Sequence, residues 1–233
     1  MKPILFNTEM VKAILDGRKT VTRRCVKYKY SNTEMQMRTD KYGTSLIEIQ
    51  KDVEEETFGK NEDGTTWRKL LAYVEKRPPY KVNDILYVRE TWTDHYEPNE
   101  DGKPELKYCY KADGIDLKAE CLPGENNRWY PSIHMPKEAA RIFLRVTGVR
   151  AERLRDITIE EIRKEGLSSM AVHAGDKEIA YMEWQLLWDS TINKGDLDKY
   201  GWDANPYVWV IEFEVIDKAA AMAAGMVVLK EGP

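Results

Sequence analysis

Cysteine, histidine and long apolar runs are all scarce in this chain, and it carries no large surplus of either charge. The three cysteines, Cys25, Cys109 and Cys121, are odd in number and scattered, with no CxxC pair. Neither a disulfide framework nor a zinc site has its spacing here, so buried free thiols are expected. His95, His134 and His173 share no motif spacing, which leaves histidine-centred chemistry without a constellation. The opening "MKPILFNTEM" holds one brief apolar run with an acid close behind it. That argues against a signal peptide or a membrane span and leads us to expect a cytoplasmic protein with no membrane partner. Thirty-six Lys and Arg against 40 Asp and Glu give a net charge of −4. Proteins that coat duplex carry a marked basic excess, so any nucleic-acid contact must be local.

What the chain does have is aromatic residues, 7 Trp and 13 Tyr, within a hydrophobic fraction of 42% over 233 residues. That is enough for one sizeable core. The expected organisation is one domain over residues 1–217, with an acidic, turn-rich insertion at 28–82 and an alanine-rich tail at 218–233. "PILF" begins the pattern; Asn7 or Thr8 then caps a helix with Val11, Ile14 and Leu15 on one face, stopped at Gly17. "KTVTRRCV" reads as a strand. A second strand is expected over residues 85–92, Ile85, Tyr87, Arg89 and Thr91 facing one way and Leu86, Val88, Glu90 and Trp92 the other. "ELKYCYKAD", "ARIFLRVTGVRAERL" and "YVWVIEFEV" complete the set, the last with Tyr207, Trp209, Ile211, Phe213 and Val215 on one side. Between the last two strands Thr158 and Glu161 form a capping box, and a second helix sets Trp184 and Trp188 one turn apart. Several spaced strands with few helices predict an α+β chain built as a small mixed β-barrel with helices at its rim.

Three features resist these local rules. Glu165 follows Ile162 by three positions and Ile159 by six, so it shares the buried stripe of its helix, and it stands at the helix C-terminus. Burial and the helix dipole both disfavour its charge, the property of a general acid or proton acceptor; otherwise the helix end frays and the carboxylate turns to water. Glu90, between Val88 and Trp92, needs a buried cation. Lys19, Arg23 and Arg24 are the expected partners. The nine residues "DGRKTVTRR", 16 to 24, carry four cations. Arg18, Lys19, Arg23 and Arg24 are either a solvated face or a grip for phosphate.

"GRKTVTRR" after a capped helix, "DILYVRETW", "IHMPKEAARIFLRVTGVRAERL", "ITIEEIRKEGL" and "NPYVWVIEFEV" together resemble the ASCH family, most closely its phage and prophage members. The resemblance covers most of the chain apart from residues 28–82 and the tail. It implies a PUA-like β-barrel with a cleft beside the first helix, a fold used to bind RNA or modified nucleosides. Gly17, Lys19 and Arg24 match the family signature. One branch consists of small amidohydrolases that remove the acetyl group from N4-acetylcytidine, needing neither metal nor cofactor. Its lysine, threonine and glutamate fall on Lys19, Thr22 and Glu165. In an unbroken strand Lys19 and Thr22 would point to opposite faces, so the strand must begin after Lys19 or carry a bulge.

Two functions follow as expectations. One is a metal-independent amidohydrolase acting on an N4-acylated cytosine nucleoside, with Lys19, Thr22 and Glu165 at its centre. Arg89, Glu90 and Trp92 would reshape its pocket, and the backbone amides after Gly17 or an arginine would hold the oxyanion. The other is a non-catalytic RNA- or DNA-binding module, or a ribonuclease, in which Arg18, Lys19, Arg23 and Arg24 hold phosphates and Trp92 or Trp129 stacks a base. A role in phage assembly through protein contacts ranks third.

Overall fold

The apolar run at the N-terminus pairs with residues eighty positions away, and that pairing organises the molecule. The computed structural model describes residues 1–40, 43–50, 57–60, 66–68, 73–117 and 128–227. Its strands are β1 (Lys2–Leu5), β2 (Val21–Cys25), β3 (Thr33–Asp40), β4 (Gly43–Gln50), β5 (Thr57–Lys60), β6 (Thr66–Arg68), β7 (Tyr73–Lys76), β8 (Ile85–Arg89), β9 (Trp92–Pro98), β10 (Pro104–Tyr110), β11 (Phe143–Arg153) and β12 (Tyr207–Ile216). The helices are α1 (Thr8–Leu15), α2 (Ile159–Lys164), α3 (Met170–Ala174), α4 (Lys177–Ser190), α5 (Leu197–Tyr200) and α6 (Lys218–Val227). The chain is a mixed α+β fold with several sheets. None of the described helices is long and apolar enough to cross a membrane.

The main sheet has the order β1-β8-β11-β12-β2. β1 runs parallel to β8, and the other neighbours are antiparallel. In a flat sheet four strand spacings of about 4.8 Å would hold the edges about 19 Å apart. Yet Arg24 on β2 donates to the carbonyl of Leu5 on β1 at 2.7 Å, a gap that no arginine side chain spans. The sheet therefore curls until its two edges face each other. Among the described residues no strand pairing joins those edges; a side chain bridges them.

Curling gives the sheet an inside and an outside. Leu144, Val146, Trp209, Ile211 and Phe213 face inward and pack with Ile4, Phe6, and Val11 and Ile14 of α1. The alternate residues Val208 and Val210, with Val21, face α2 and α4 and bury Ile162, Trp184 and Trp188. β12 is thus apolar on both faces, as a strand covered on both sides requires. Two predicted stripes run past the core: Leu15 is 50% and Val215 55% exposed, each at the end of its element. A third cluster joins Ile85, Phe143, Trp92 and Met135 to Ala221 of α6, so the alanine-rich segment is a packed helix as far as the described residues go.

The local signals mature as expected. Asn7 caps α1, its side chain accepting from the Met10 amide, and the Thr158–Glu161 capping box opens α2. The predicted strand over 85–92, by contrast, stops at Arg89 and a new one starts at Trp92. Glu90 occupies the break, its amide donating to Met135 Sδ and its carboxylate turned to Arg141. An ion pair outcompetes the ladder at that point.

Described residues of the 28–82 segment form a three-stranded sheet, β3-β4-β7, which sends Met35 and Leu46 into the inward-facing core. Glu48 on β4 is buried in it. Its carboxylate accepts from the Lys29 and Tyr30 amides at 2.9 Å, from the Thr33 hydroxyl at 2.6 Å and from the Lys76 ammonium. Burial alone would raise this carboxyl; the hydrogen bonds from Lys76, Thr33, Tyr30 and Lys29 more than offset that and hold it at about 2, against an ordinary 4.5. The unfolded chain therefore takes up this proton at higher pH than the folded one, and acid favours unfolding between those values. The stability advantage of the natural protein over Glu48→Gln, measured by urea unfolding, should be full at pH 7 and fade between about pH 5 and pH 2. An advantage independent of pH over that window would overturn this reading.

Candidate active site

The site is built where the end of α1 meets the end of α2. Gly17, at φ +72°, turns the chain out of α1, and the amides of Arg18 and Lys19 both close onto the Ala13 carbonyl at 2.9 Å. Thr20 then donates to Lys164 O and accepts from Phe213 N, each at 2.9 Å. Lys19 pairs with Glu165 as an isolated bridge, and β2 starts only at Val21. The geometric condition set by the sequence is met, because Lys19 lies outside the alternation of the strand.

Glu165 caps α2 and is 3% exposed. Its carboxylate is shared: Oε2 is 2.6 Å from Lys19 Nζ, and Oε1 is 3.1 Å from Arg23 Nη1. Lys19 Nζ also donates to the Glu165 carbonyl at 2.9 Å, so one ammonium satisfies both the side chain and an open carbonyl of the helix end. The close approach depends on Gly166, at φ +98°, where a Cβ would lie 2.7 Å from Ala13 Cβ and 3.1 Å from Lys19 Cβ. Two cations, rather than a swing into water, answer the burial of Glu165.

Lys19 has no exposed side-chain surface. Burial pushes its ammonium below the ordinary 10.5; Glu165 opposes this, while Arg24 and Arg23 add to it. Arg24 is lowered too, by burial, and lies over the Phe6 ring at 5.3 Å. Beside the pair, Thr22 is 2% exposed and lines a cavity of about 30 Å³ with Met10, Arg24, Glu165, Trp184 and Trp188. That is room for about one water. The void thus lies between the Glu165 carboxylate and Thr22, and the Lys19 ammonium is joined to it through Glu165.

The cations of the expected phosphate grip have partners within the chain. Arg23 is wholly buried and donates to Glu152 at 2.6 and 3.0 Å, and it also pairs with Glu161 and Glu165. Arg18 is held by Gly166 O at 2.5 Å and Asp16 at 2.7 Å, and Arg24 by Leu5 O. A cation that must neutralise a buried carboxylate is not free for an outside anion. The amides after Gly17, expected to hold an oxyanion, are likewise spent on Ala13 O.

Arg89, Glu90 and Trp92 form a separate group. Glu90 is met by Arg141 through two bonds of 3.0 Å, not by Lys19, Arg23 or Arg24. Arg141 lies just ahead of β11, the neighbour of β8, and so reaches the end of that strand first. Burial raises the Glu90 carboxyl in spite of Arg141. Arg89 donates to the carbonyls of Met135 and Ile133. Trp92, 8% exposed, packs against Tyr130 at 5.2 Å and Tyr108 at 5.8 Å, which leaves no ring face for a base.

The residues that sequence reasoning missed are Glu152 and Arg150 on β11. Arg150 ties Glu152 to Glu161 and Glu212, extending the network that seats Arg23. The alternating charges of "VRAERL" were the available signal. Cys25 and Cys109 are half-buried, Cys109 Sγ lying 3.5 Å from His95 Nδ1, and Cys121 lies outside the described residues. Among the described residues no group of three or more His, Cys, Asp or Glu is placed to hold a metal ion. No family model, no curated protein and no solved structure matches this chain.

Proposed function

We propose that the chain is a PUA-like ASCH protein that hydrolyses the exocyclic amide of an N4-acylated cytosine nucleoside. The observation that carries this reading is the buried Lys19–Glu165 pair at 2.6 Å beside the Thr22 hydroxyl. The curled sheet, with α1 next to its bridged edges, agrees with the PUA-like arrangement.

The chemistry is derived from these residues. Lys19, its ammonium weakened by burial, takes a proton from Thr22 Oγ or from a water in the cavity. The oxygen attacks the acyl carbonyl, and Arg24, which has guanidinium protons beyond the one given to Leu5 O, faces the oxyanion. The proton gained by Lys19 crosses to Glu165 Oε2 and then to the departing N4, while Arg23 keeps the other carboxylate oxygen in place. One water is consumed, either as the attacking oxygen itself or in hydrolysing the ester formed on Thr22, so that the acyl group leaves as the carboxylic acid and the cytosine amine is restored. A nucleoside needs a pocket of about 300 Å³ or more, so entry requires the wall formed by Met10 and the two tryptophans of α4 to move.

Chromatography of N4-acetylcytidine incubated with the protein should reveal cytidine. Lys19→Met should lower kcat/KM by about 10²–10⁴-fold, and the natural enzyme's rate should rise with pH about a midpoint below 10.5. No product from any acylated cytidine, or equal product from Lys19→Met, overturns the proposal. The alternative, a phosphate-gripping module at the same cluster, is disfavoured because Arg18 is paired with Asp16 and Arg23 with Glu152, Glu161 and Glu165, which leaves Arg24 alone of the three with protons to offer.

A further inference from the structure

The most open chemistry on the molecule lies at the other end of β2. There a groove of about 610 Å³ runs between residues 28–33 and α5, lined by Tyr28, Lys29, Tyr30, Asn32, Lys199 and Tyr200. One wall comes from the 28–82 segment and the other from the turn ahead of β12. Lys27, Lys29 and Lys199 are exposed, and among the described residues none of the three ammonium groups is in an ion pair. This is the reverse of the Lys19 cluster, where the cations are consumed internally. On a chain of net charge −4, three unneutralised lysines around one groove make a local anion-attracting field.

The aromatic residues are interleaved with those charges. Lys27 Nζ stands 3.9 Å from the centroid of the Tyr200 ring, and Lys29 Nζ 5.1 Å from that of Tyr30. Tyr28 and Tyr200 are 6.1 Å apart at 35°, and the Tyr28 amide donates to the Tyr200 hydroxyl at 3.1 Å. Tyr200 is buried and positions its neighbours. Tyr30, 53% exposed, offers ring surface to a ligand, because one ammonium covers at most one face. The wall is also preorganised: Glu48, without exposed side-chain surface, holds the Lys29 and Tyr30 amides and the Thr33 hydroxyl from beneath, and Asn32 sits at φ +55°. A buried carboxylate committed to shaping one surface turn marks that turn as built rather than incidental.

We infer that this groove binds a short single-stranded nucleic-acid segment, unpaired bases lying on Tyr30 and Tyr28 while Lys27, Lys29 and Lys199 meet the phosphates. Stacking requires bases freed from a duplex, and the volume suits one or two nucleotides. Asp198, also on the rim, repels phosphate on its own side and accepts from a base amino group or a 2′-hydroxyl. The inference stands apart from the proposed hydrolysis, since it uses none of Lys19, Thr22 or Glu165.

The test is fluorescence anisotropy of end-labelled ten-nucleotide strands, RNA and DNA of one sequence, titrated with the full chain over a range of salt. Binding should weaken as salt rises. Tyr30→Ala should weaken it by about fivefold or more, and Tyr30→Phe should retain it. Lys29→Ala and Lys199→Ala should each flatten the slope of log affinity against log salt by about 0.7, whereas Lys103→Ala, outside the groove, should not. A tighter RNA arm assigns Asp198 to the 2′-hydroxyl, and equal arms assign it to a base edge. Lys19→Met should bind as the natural protein does, which keeps this test separate from the activity assay. Absence of binding at low salt, insensitivity to Tyr30→Ala together with Lys29→Ala, or equal affinity for a poly-glutamate peptide would overturn the inference.

Discussion

Glu165→Ala should destabilise the protein by about 3–5 kcal/mol in urea unfolding at pH 7, the usual cost of removing one member of a buried ion pair. The carboxylate neutralises Lys19, which has no exposed side-chain surface, and gives its second oxygen to Arg23. Without it Arg23 still has Glu152 and Glu161, but Lys19 keeps only the Glu165 carbonyl and must shed its proton or draw in water. The double variant Lys19→Met with Glu165→Leu removes both charges at similar volume and should return to within about 2 kcal/mol of the natural stability, because apolar replacements of buried pairs are often neutral. It should also be inactive on N4-acetylcytidine. A loss below about 1 kcal/mol for Glu165→Ala would mean that the carboxylate is not the counter-charge of Lys19.

Gly166→Ala should cost about 3 kcal/mol or more, from two sources of about 1–3 kcal/mol each: left-handed strain and overpacking. At φ +98° the added methyl would lie 2.7 Å from Ala13 Cβ, and neither α1 nor α2 can retreat without parting Lys19 from Glu165. Gly17→Ala is the control. Gly17 has a similar φ, +72°, but nothing within 4 Å of its added methyl, so only the strain remains. The difference between the two variants isolates the close approach of the helices, and equal losses would show that the approach contributes nothing.

The parts of this molecule governed by short-range spacing are legible in its sequence. The Asn7 cap, the Thr158–Glu161 box and the Trp184–Trp188 pair each lie within a turn or so of chain, and the structure contains all three. Glu165 was conspicuous because it broke a local rule, and the structure seats it where that rule would leave a charge without support. Pairings across long separations were not legible. Glu90 looked toward Lys19, Arg23 and Arg24 because those cations form a run, whereas its partner Arg141 stands alone in sequence but beside it in the sheet. Arg23 read as a solvated charge, a phosphate grip or a partner of Glu90, because nothing in "TVTRRC" reveals that Glu152, Glu161 and Glu165 surround it. The groove is a stronger case, since Tyr28–Tyr30 and Asp198–Tyr200 are brought together only by the folding of β12 against β2.

The order β1-β8-β11-β12-β2 also fixes when the protein can become itself. Among the described residues β2 is an edge strand whose one neighbour in that sheet, β12, begins at Tyr207, and Lys19 waits 146 residues for Glu165. At about 5–20 residues per second of synthesis, that interval lasts about 7–30 s. Throughout it the lysine has no counter-charge to bury against, and the first helix has only β1, β8 and β11 to lie on, since β2 and β12 cannot pair before Tyr207 is made. Closing such distant contacts is slow even once the chain is complete. The N-terminal signature is therefore made well before it can fold, and the ammonium that burial weakens is an ordinary, fully hydrated lysine until the chain has been made beyond Glu165.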